Sequence, residues 1–249
     1  MSFVKDRTTL RRWNYAVSIV HASSFIALSI ISFIRLSDES LTRYVSLWAT
    51  GVLSGVSIGR YALFATLIPF PAITAVFHVM AACNVGGYYR DVLRNGSNTL
   101  RWVEYAITNG LMSWSVVFVA GDGANVWIPI VCVVSNFFMQ YMGYRYEQSN
   151  KDPTRRNLWF IAVGFLPWIF NWTWTFVYYA NRASGAALSD GFAVIGTFVW
   201  SLAFVVPLVY RKFATGIRAN YNTELAYILL SLSAKLWLDW TVTIGTIIE

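Results

Sequence analysis

Apolar residues gather along this chain into blocks of about twenty, divided by short stretches rich in Arg, Asp, Asn and Gly. The blocks lie near residues 13–34, 59–83, 102–120, 125–146, 157–180, 191–210 and 225–247. A hydrocarbon layer about 30 Å thick takes roughly 20 helical residues to cross, so each block fits one crossing. Lipid offers no partner to backbone N–H and C=O groups, so a crossing segment of this length is expected to be a helix. The pattern therefore predicts an all-α membrane protein, a bundle of seven transmembrane helices forming one domain over residues 1–249. Lys5, Arg7, Arg11 and Arg12 precede the first block in the manner of a signal peptide. That block is too long for a signal core and no small-residue cleavage site follows it cleanly, so it is expected to be retained.

Residues 35–58 fit the pattern least well. They carry Arg35, Asp38, Glu39 and Arg43, then Gly51, Gly55 and Gly59 at four-residue spacing. Small residues so spaced can mark close helix packing in a membrane. A helix from 44 to 83, however, would be roughly 60 Å long, twice the bilayer core. The stretch is expected to be an excursion outside the membrane between helices 1 and 2, in the form of a hairpin lying against the bundle.

Composition agrees with the pattern. The chain is 57% hydrophobic and 12% charged, against about 25% charged in a soluble domain. Its mean hydropathy is +0.51. An ordinary soluble enzyme and a disordered chain are excluded on this ground. The net charge of +7 would suggest nucleic acid until the positions of the charges are considered. With the N-terminus inside, 14 of the 19 Lys and Arg residues fall on the inner side and four, Arg35, Arg43, Arg60 and Arg182, on the outer. The positive-inside rule then places the N-terminus in the cytoplasm and the C-terminus outside, with no nucleic-acid partner. Cys83 and Cys132 lie in apolar stretches and imply no disulfide framework.

One lysine, Lys235, belongs to neither side. It sits near the middle of the last block, in LLSLSAKLWLDW, where a cation costs about 2.5–3.5 kcal/mol even on the mildest scale. It is either a structural lysine paired with a carboxylate from another helix or an amine that forms a Schiff base with a carbonyl cofactor. Glu104, early in the third block within RWVEY, is the intramembrane anion that either role would need. Arg101 lies one turn earlier on the same helix, where it would hold Glu104 ionised or simply mark the basic end of a span. His21 and His78 are the only histidines, and both lie inside blocks. Two histidines without clustered cysteines or carboxylates fall short of a metal ligand set. Glu147 and Glu224, beside basic loops at helix ends, read as surface ion pairs of little energetic weight.

Seven helices, a lysine midway along the seventh and an Arg-aromatic-x-acid-aromatic run on the third resemble the microbial-type retinal proteins. Within that superfamily the chain resembles the heliorhodopsins. The resemblance rests on RWVEY at 101–105, FLPWI at 165–169, ELAYILLSLSAK at 224–235, Asn136 with Met139 and Gly143, and the histidines at 21 and 78. It covers nearly the whole chain, and an N-terminus in the cytoplasm is the inverted orientation that sets this family apart.

The resemblance implies a rhodopsin-like fold and a covalent all-trans retinal on Lys235, as a protonated Schiff base with Glu104 as counterion. It places Ser231 and Thr108 beside the linkage, although Thr108 is as readily an ordinary helix-face hydroxyl. Met139, Gly143, Pro167 and Trp168 become pocket walls, and Trp200 is added to them without motif support. Arg101, His21 and His78 are then expected to belong to proton transfer or to a polar cavity on the cytoplasmic side. Position 115, eleven residues after Glu104, is serine where outward proton pumps of the superfamily carry a carboxylate, which argues against a conventional pump. Asp239 departs from the family pattern. It lies one turn beyond Lys235 on the same helix face, either as a neutral acid in a polar pocket or as a step on an outward proton path.

The function expected is a light-sensing retinal protein, not an enzyme, that signals through an unidentified cytoplasmic partner and forms a homodimer in the lipid bilayer. A light-gated proton conductance using Asp239 and Glu104 is the alternative. A seven-helix transporter or receptor without retinal, with Lys235 and Glu104 as a structural ion pair, is the second.

Overall fold

The computed structural model describes residues 3–34, 42–46, 57–121, 123–150, 152–182 and 188–248. These form seven helical rods: α1 Phe3–Ile34, α2 Pro69–Ala82, α3 Thr99–Gly121, α4 Trp127–Gln148, α5 Trp159–Arg182, α6 Leu188–Ala203 and α7 Gly216–Ile248. A short turn of helix, Phe64–Leu67, leads into α2, and Val205–Phe213 continues α6. Proline explains both interruptions. Pro69 opens α2, and Pro207 lacks the N–H that Ala203 would need to carry α6 on unbroken.

The rods show the inverted amphipathicity that lipid imposes. Along α1 the buried face is polar, with Asn14, Ser18, His21 and Ser24 at helical spacing. The opposite face presents Ile19, Ile26, Ile30 and Phe33 outward. In water the reverse arrangement would be required. Five rods are long and apolar enough to cross a membrane: α1, Phe64–Ala82, α5, Leu188–Phe213 and Gly216–Gly245. The other two, α3 and α4, carry their polar residues inward. Arg101, Glu104, Thr108 and Ser115 are buried on α3, and Asn136, Gln140 and Glu147 on α4.

α3 is the centre of the bundle, packing against α2, α4, α5 and α6, while α1 packs on α2 and α7. Its last turns, Val116 to Gly121, are wholly buried. Leu28, Leu63, Leu67, Phe70, Leu238 and Val242 close around them as an apolar layer. Buried charge concentrates toward the other end, nearer the N-terminus: Arg101, Glu104, Glu147, Arg156, Arg211 and Glu224.

Most of the excursion expected at 35–58 lies outside the described residues. Strand β1, Thr42–Ser46, pairs antiparallel with β2, Ser57–Ala62, with Val45 opposite Gly59. β1 also pairs in parallel with β3, Gly123–Asn125, which directly follows α3. Gly59 is therefore in a strand, and a glycine run along one packing helix is overturned; Gly51 and Gly55 lie outside the described residues. The second rod accordingly begins at Phe64 rather than at residue 59. The first begins ten residues earlier than its apolar block, because Lys5, Arg7, Arg11 and Arg12 lie on exposed helical positions where long basic side chains reach polar surroundings.

Candidate functional site

Three rods bring one cation and one anion together in the middle of the bundle. Lys235 of α7 donates from Nζ to Glu104 Oε1 of α3 at 2.5 Å and to Thr74 Oγ1 of α2 at 2.8 Å. Lys235 is 2% exposed and Glu104 6%. Either charge alone at this depth would be costly, and the pair offsets both desolvation penalties. The Tyr105 ring approaches Lys235 Nζ with its centroid at 5.3 Å. Ser231, buried one turn before Lys235, lies on the same side of α7. Thr108 is buried too, but its hydroxyl donates back to the Glu104 carbonyl at 3.0 Å, a bond within its own helix.

Lys235 also stands at the edge of a largely apolar cavity. Met139, Trp168, Trp172, Trp200 and Phe204 wall it, with Asn109, Asn136, Asn171 and Ser201 among its polar groups. A second cavity adjoins, sharing Asn109, Met139, Trp168, Ser201 and Phe204 and extending to Trp102, Gly143 and Phe165. Trp168 follows Pro167 inside α5, stacks on Phe198 at 5.4 Å and donates to Ser201 Oγ at 3.1 Å, which fixes its ring against the cavity. Gly143 has a different reason to be small: a Cβ there would run into the Trp102 ring. An aromatic slot with a reactive amine at its edge suits a long apolar carbonyl compound such as retinal.

On the α1 side, His21 and His78 stack with centroids 6.2 Å apart and planes 15° from parallel. Asn14 Nδ2 is committed to the Leu10 carbonyl, so its Oδ1 accepts from His78 Nδ1 at 2.7 Å. His78 Nε2 and both ring nitrogens of His21 are buried without a partner among the described residues. His78 lines a small polar cavity together with Asn14, Glu104, Arg101 and Glu224, and His21 stands behind it. Asp239 is fully buried on α7. Ser24 donates to its Oδ2 at 3.3 Å, while Oδ1 has no partner among the described residues.

Arg101 corrects the sequence reading. It does not reach Glu104 but turns to Glu147 of α4 and to Glu224 of α7, the latter at 2.7 Å. Its guanidinium stacks over the Tyr227 ring, 3.9 Å from the centroid. Glu147 and Glu224, expected at the surface, are 5% and 4% exposed. Glu147 also accepts from the Asn98 N–H and Trp102 Nε1, and Glu224 from Tyr88 Oη and Asn98 Nδ2. The error lay in the helix ends. α7 begins nine residues earlier than its apolar block, which draws Glu224 inside the bundle. Thr74 was missed as well, since a single threonine in an apolar run carries no signal.

No curated protein matches the chain. A model of the heliorhodopsin family matches residues 10–247.

Proposed function

Since the chain belongs to the heliorhodopsin family, and is thus a retinal-binding, light-sensing protein of the membrane, we propose that Lys235 carries the retinal and Glu104 is its counterion. The observation that carries this reading is the 2.5 Å contact between Lys235 Nζ and Glu104 Oε1 beside the tryptophan-walled cavity. Bound retinal supplies a light-driven isomerisation next to a charged linkage. The protein's own part is positional and electrostatic. Lys235 Nζ provides the amine for the Schiff base, Glu104 holds positive charge at that atom, and Thr74 keeps the pair oriented. Met139, Gly143, Pro167, Trp168 and Trp200 shape the slot and exclude water, with Ser231 and Thr108 as its nearby hydroxyls. Membership of the family sets aside the reading as a transporter or receptor without retinal.

The N-terminus faces the cytoplasm in this proposal, supported by the 14-to-4 distribution of basic residues. The readout is signalling, by a homodimer acting on a cytoplasmic partner. The apolar layer of Leu28, Leu63, Leu67, Phe70 and Val242 favours signalling over conduction, because the polar groups it encloses are few and paired with each other, as Thr66 and Ser115 are at 2.5 Å. A light-gated proton conductance is the second reading on one observation, the buried Asp239 Oδ1 that has no partner among the described residues. His21, His78 and Arg101 then line the route on the N-terminal side.

Reconstitution tests the main reading. Purified protein given all-trans retinal is expected to develop a visible absorption band, and Lys235→Ala to abolish it. A band that persists in Lys235→Ala would remove Lys235 from the role.

A further inference from the structure

Two arginines are buried in the N-terminal half of the bundle with no carboxylate in direct contact among the described residues. Arg156 and Arg211 are 2% and 3% exposed, and neither lies within 4 Å of an acid among the described residues. Buried charges are almost always paired, so such a pair demands an explanation. Arg156 finds partial compensation in three backbone carbonyls, those of Asn150, Asn95 and Gly96, at 2.9 to 3.3 Å. Arg211 has far less: its one hydrogen bond among the described residues is to the Ala214 carbonyl, at 3.4 Å.

Both arginines line one small cavity, together with Arg101, Glu147 and Glu224. The two glutamates are committed elsewhere. Every one of their oxygens already accepts from Arg101, Asn98, Trp102 or Tyr88. Three arginines against two glutamates leave the lining with one net positive charge. The remaining polar atoms lean the same way. Tyr146 Oη, Thr223 Oγ1 and Arg101 Nε are buried there without partners among the described residues and can donate. Among the described residues, Asn220 Oδ1 is the one orphan there that can only accept. A water molecule would satisfy the hydroxyls and leave the charge; an anion satisfies both.

We propose that this cavity binds one small monovalent anion, of the size of chloride, held by Arg211 and Arg156 with Tyr146 and Thr223 donating to it. Size selects the ligand class. The cavity has room for about one water-sized occupant, which leaves a single small ion as the candidate and rules out a phosphate or a lipid headgroup. The site is separate from the Lys235–Glu104 pair and does not depend on retinal.

The test uses the full chain in detergent, with thermal unfolding followed as sodium chloride replaces sodium gluconate at constant ionic strength. A saturating rise in Tm with chloride is expected, and no rise with phosphate. Arg211→Gln is expected to abolish the rise. Tyr146→Phe, which keeps the ring and removes one donor, is expected to raise the chloride midpoint about tenfold and covers the case in which Arg211→Gln fails to fold. Crystals grown in bromide should show an anomalous peak between Arg211 and Tyr146. Equal stability in gluconate, a chloride effect unchanged in both variants, or a site without anomalous signal would each overturn the proposal.

Discussion

Arg101 and Glu104, three residues apart on one helix, serve different charges. Glu104 meets Lys235 at 2.5 Å, and Arg101 turns away to meet Glu224 at 2.7 Å. The bundle thus holds two separate buried ion-pair systems within a turn of each other on α3. The polar cavity lined by Asn14, His78 and Tyr88 touches both. A change of charge at Glu104 is therefore felt at Glu224 through an enclosed, weakly screened space.

Neutralising Glu104 should alter colour before it alters the fold. Glu104→Gln keeps the side chain's shape and removes its charge, so the visible band is expected to move to the red while the linkage proton remains bound. Absorption spectra of the two proteins, each with retinal, decide this. An unchanged spectrum would take Glu104 out of the counterion role.

Arg101 should matter more for stability than for colour. Arg101→Gln leaves Glu147 and Glu224 buried without their cation, at a cost of about 3–5 kcal/mol. Arg101→Lys is expected to recover only part of that loss, since an ammonium cannot span both carboxylates as the planar guanidinium does. Unfolding in a denaturant series would measure both. Near-equal stability of Arg101→Gln and the parent would contradict the buried bridge.

Asp239→Asn separates signalling from conduction. The amide preserves an acceptor for Ser24 and cannot carry a proton, so stability should change little. If protons use this residue, light-driven current across a cell membrane falls in the variant. Currents identical to the parent's would exclude Asp239 from any path.

Gly143→Ala tests the wall between the second cavity and the Arg101 system. The added methyl must displace the Trp102 ring, whose Nε1 donates to Glu147 at 2.8 Å. Overpacking of this kind costs about 1–3 kcal/mol. A lowered Tm together with a displaced absorption band is expected, and an unaltered melt would show that Trp102 can move freely.

The membrane class, the seven rods and the intramembrane Lys235 and Glu104 were legible in the sequence because each is a local signal. A twenty-residue apolar block says crossing, and a charge within it is conspicuous by its cost. The partners of Arg101 were not legible. Glu147 and Glu224 lie at the margins of their apolar blocks, where solvent is the default, and only the extension of α7 back to Gly216 draws Glu224 inside. Thr74 was hidden for the opposite reason, a residue without charge in an unremarkable stretch. Arg156 and Arg211 counted in the sequence simply as basic loop and helix-end residues, since spacing along a chain carries no information about burial at a loop.

The apolar layer that closes around the distal end of α3 has a consequence for direction. Among the described residues, the small polar cavity of Asn14, His78, Glu104 and Glu224 lies toward the N-terminal end of α3, and the apolar layer stands toward the other end. On the conductance reading, a proton leaving the linkage would meet Asp239, buried one turn beyond Lys235 on α7. Delivery to the far side would need Leu28, Leu67 and Phe70 to part and admit water. Under the proposed signalling role, a molecule so built would turn light into a reversible displacement of charge within itself, closer to a capacitor than to a wire.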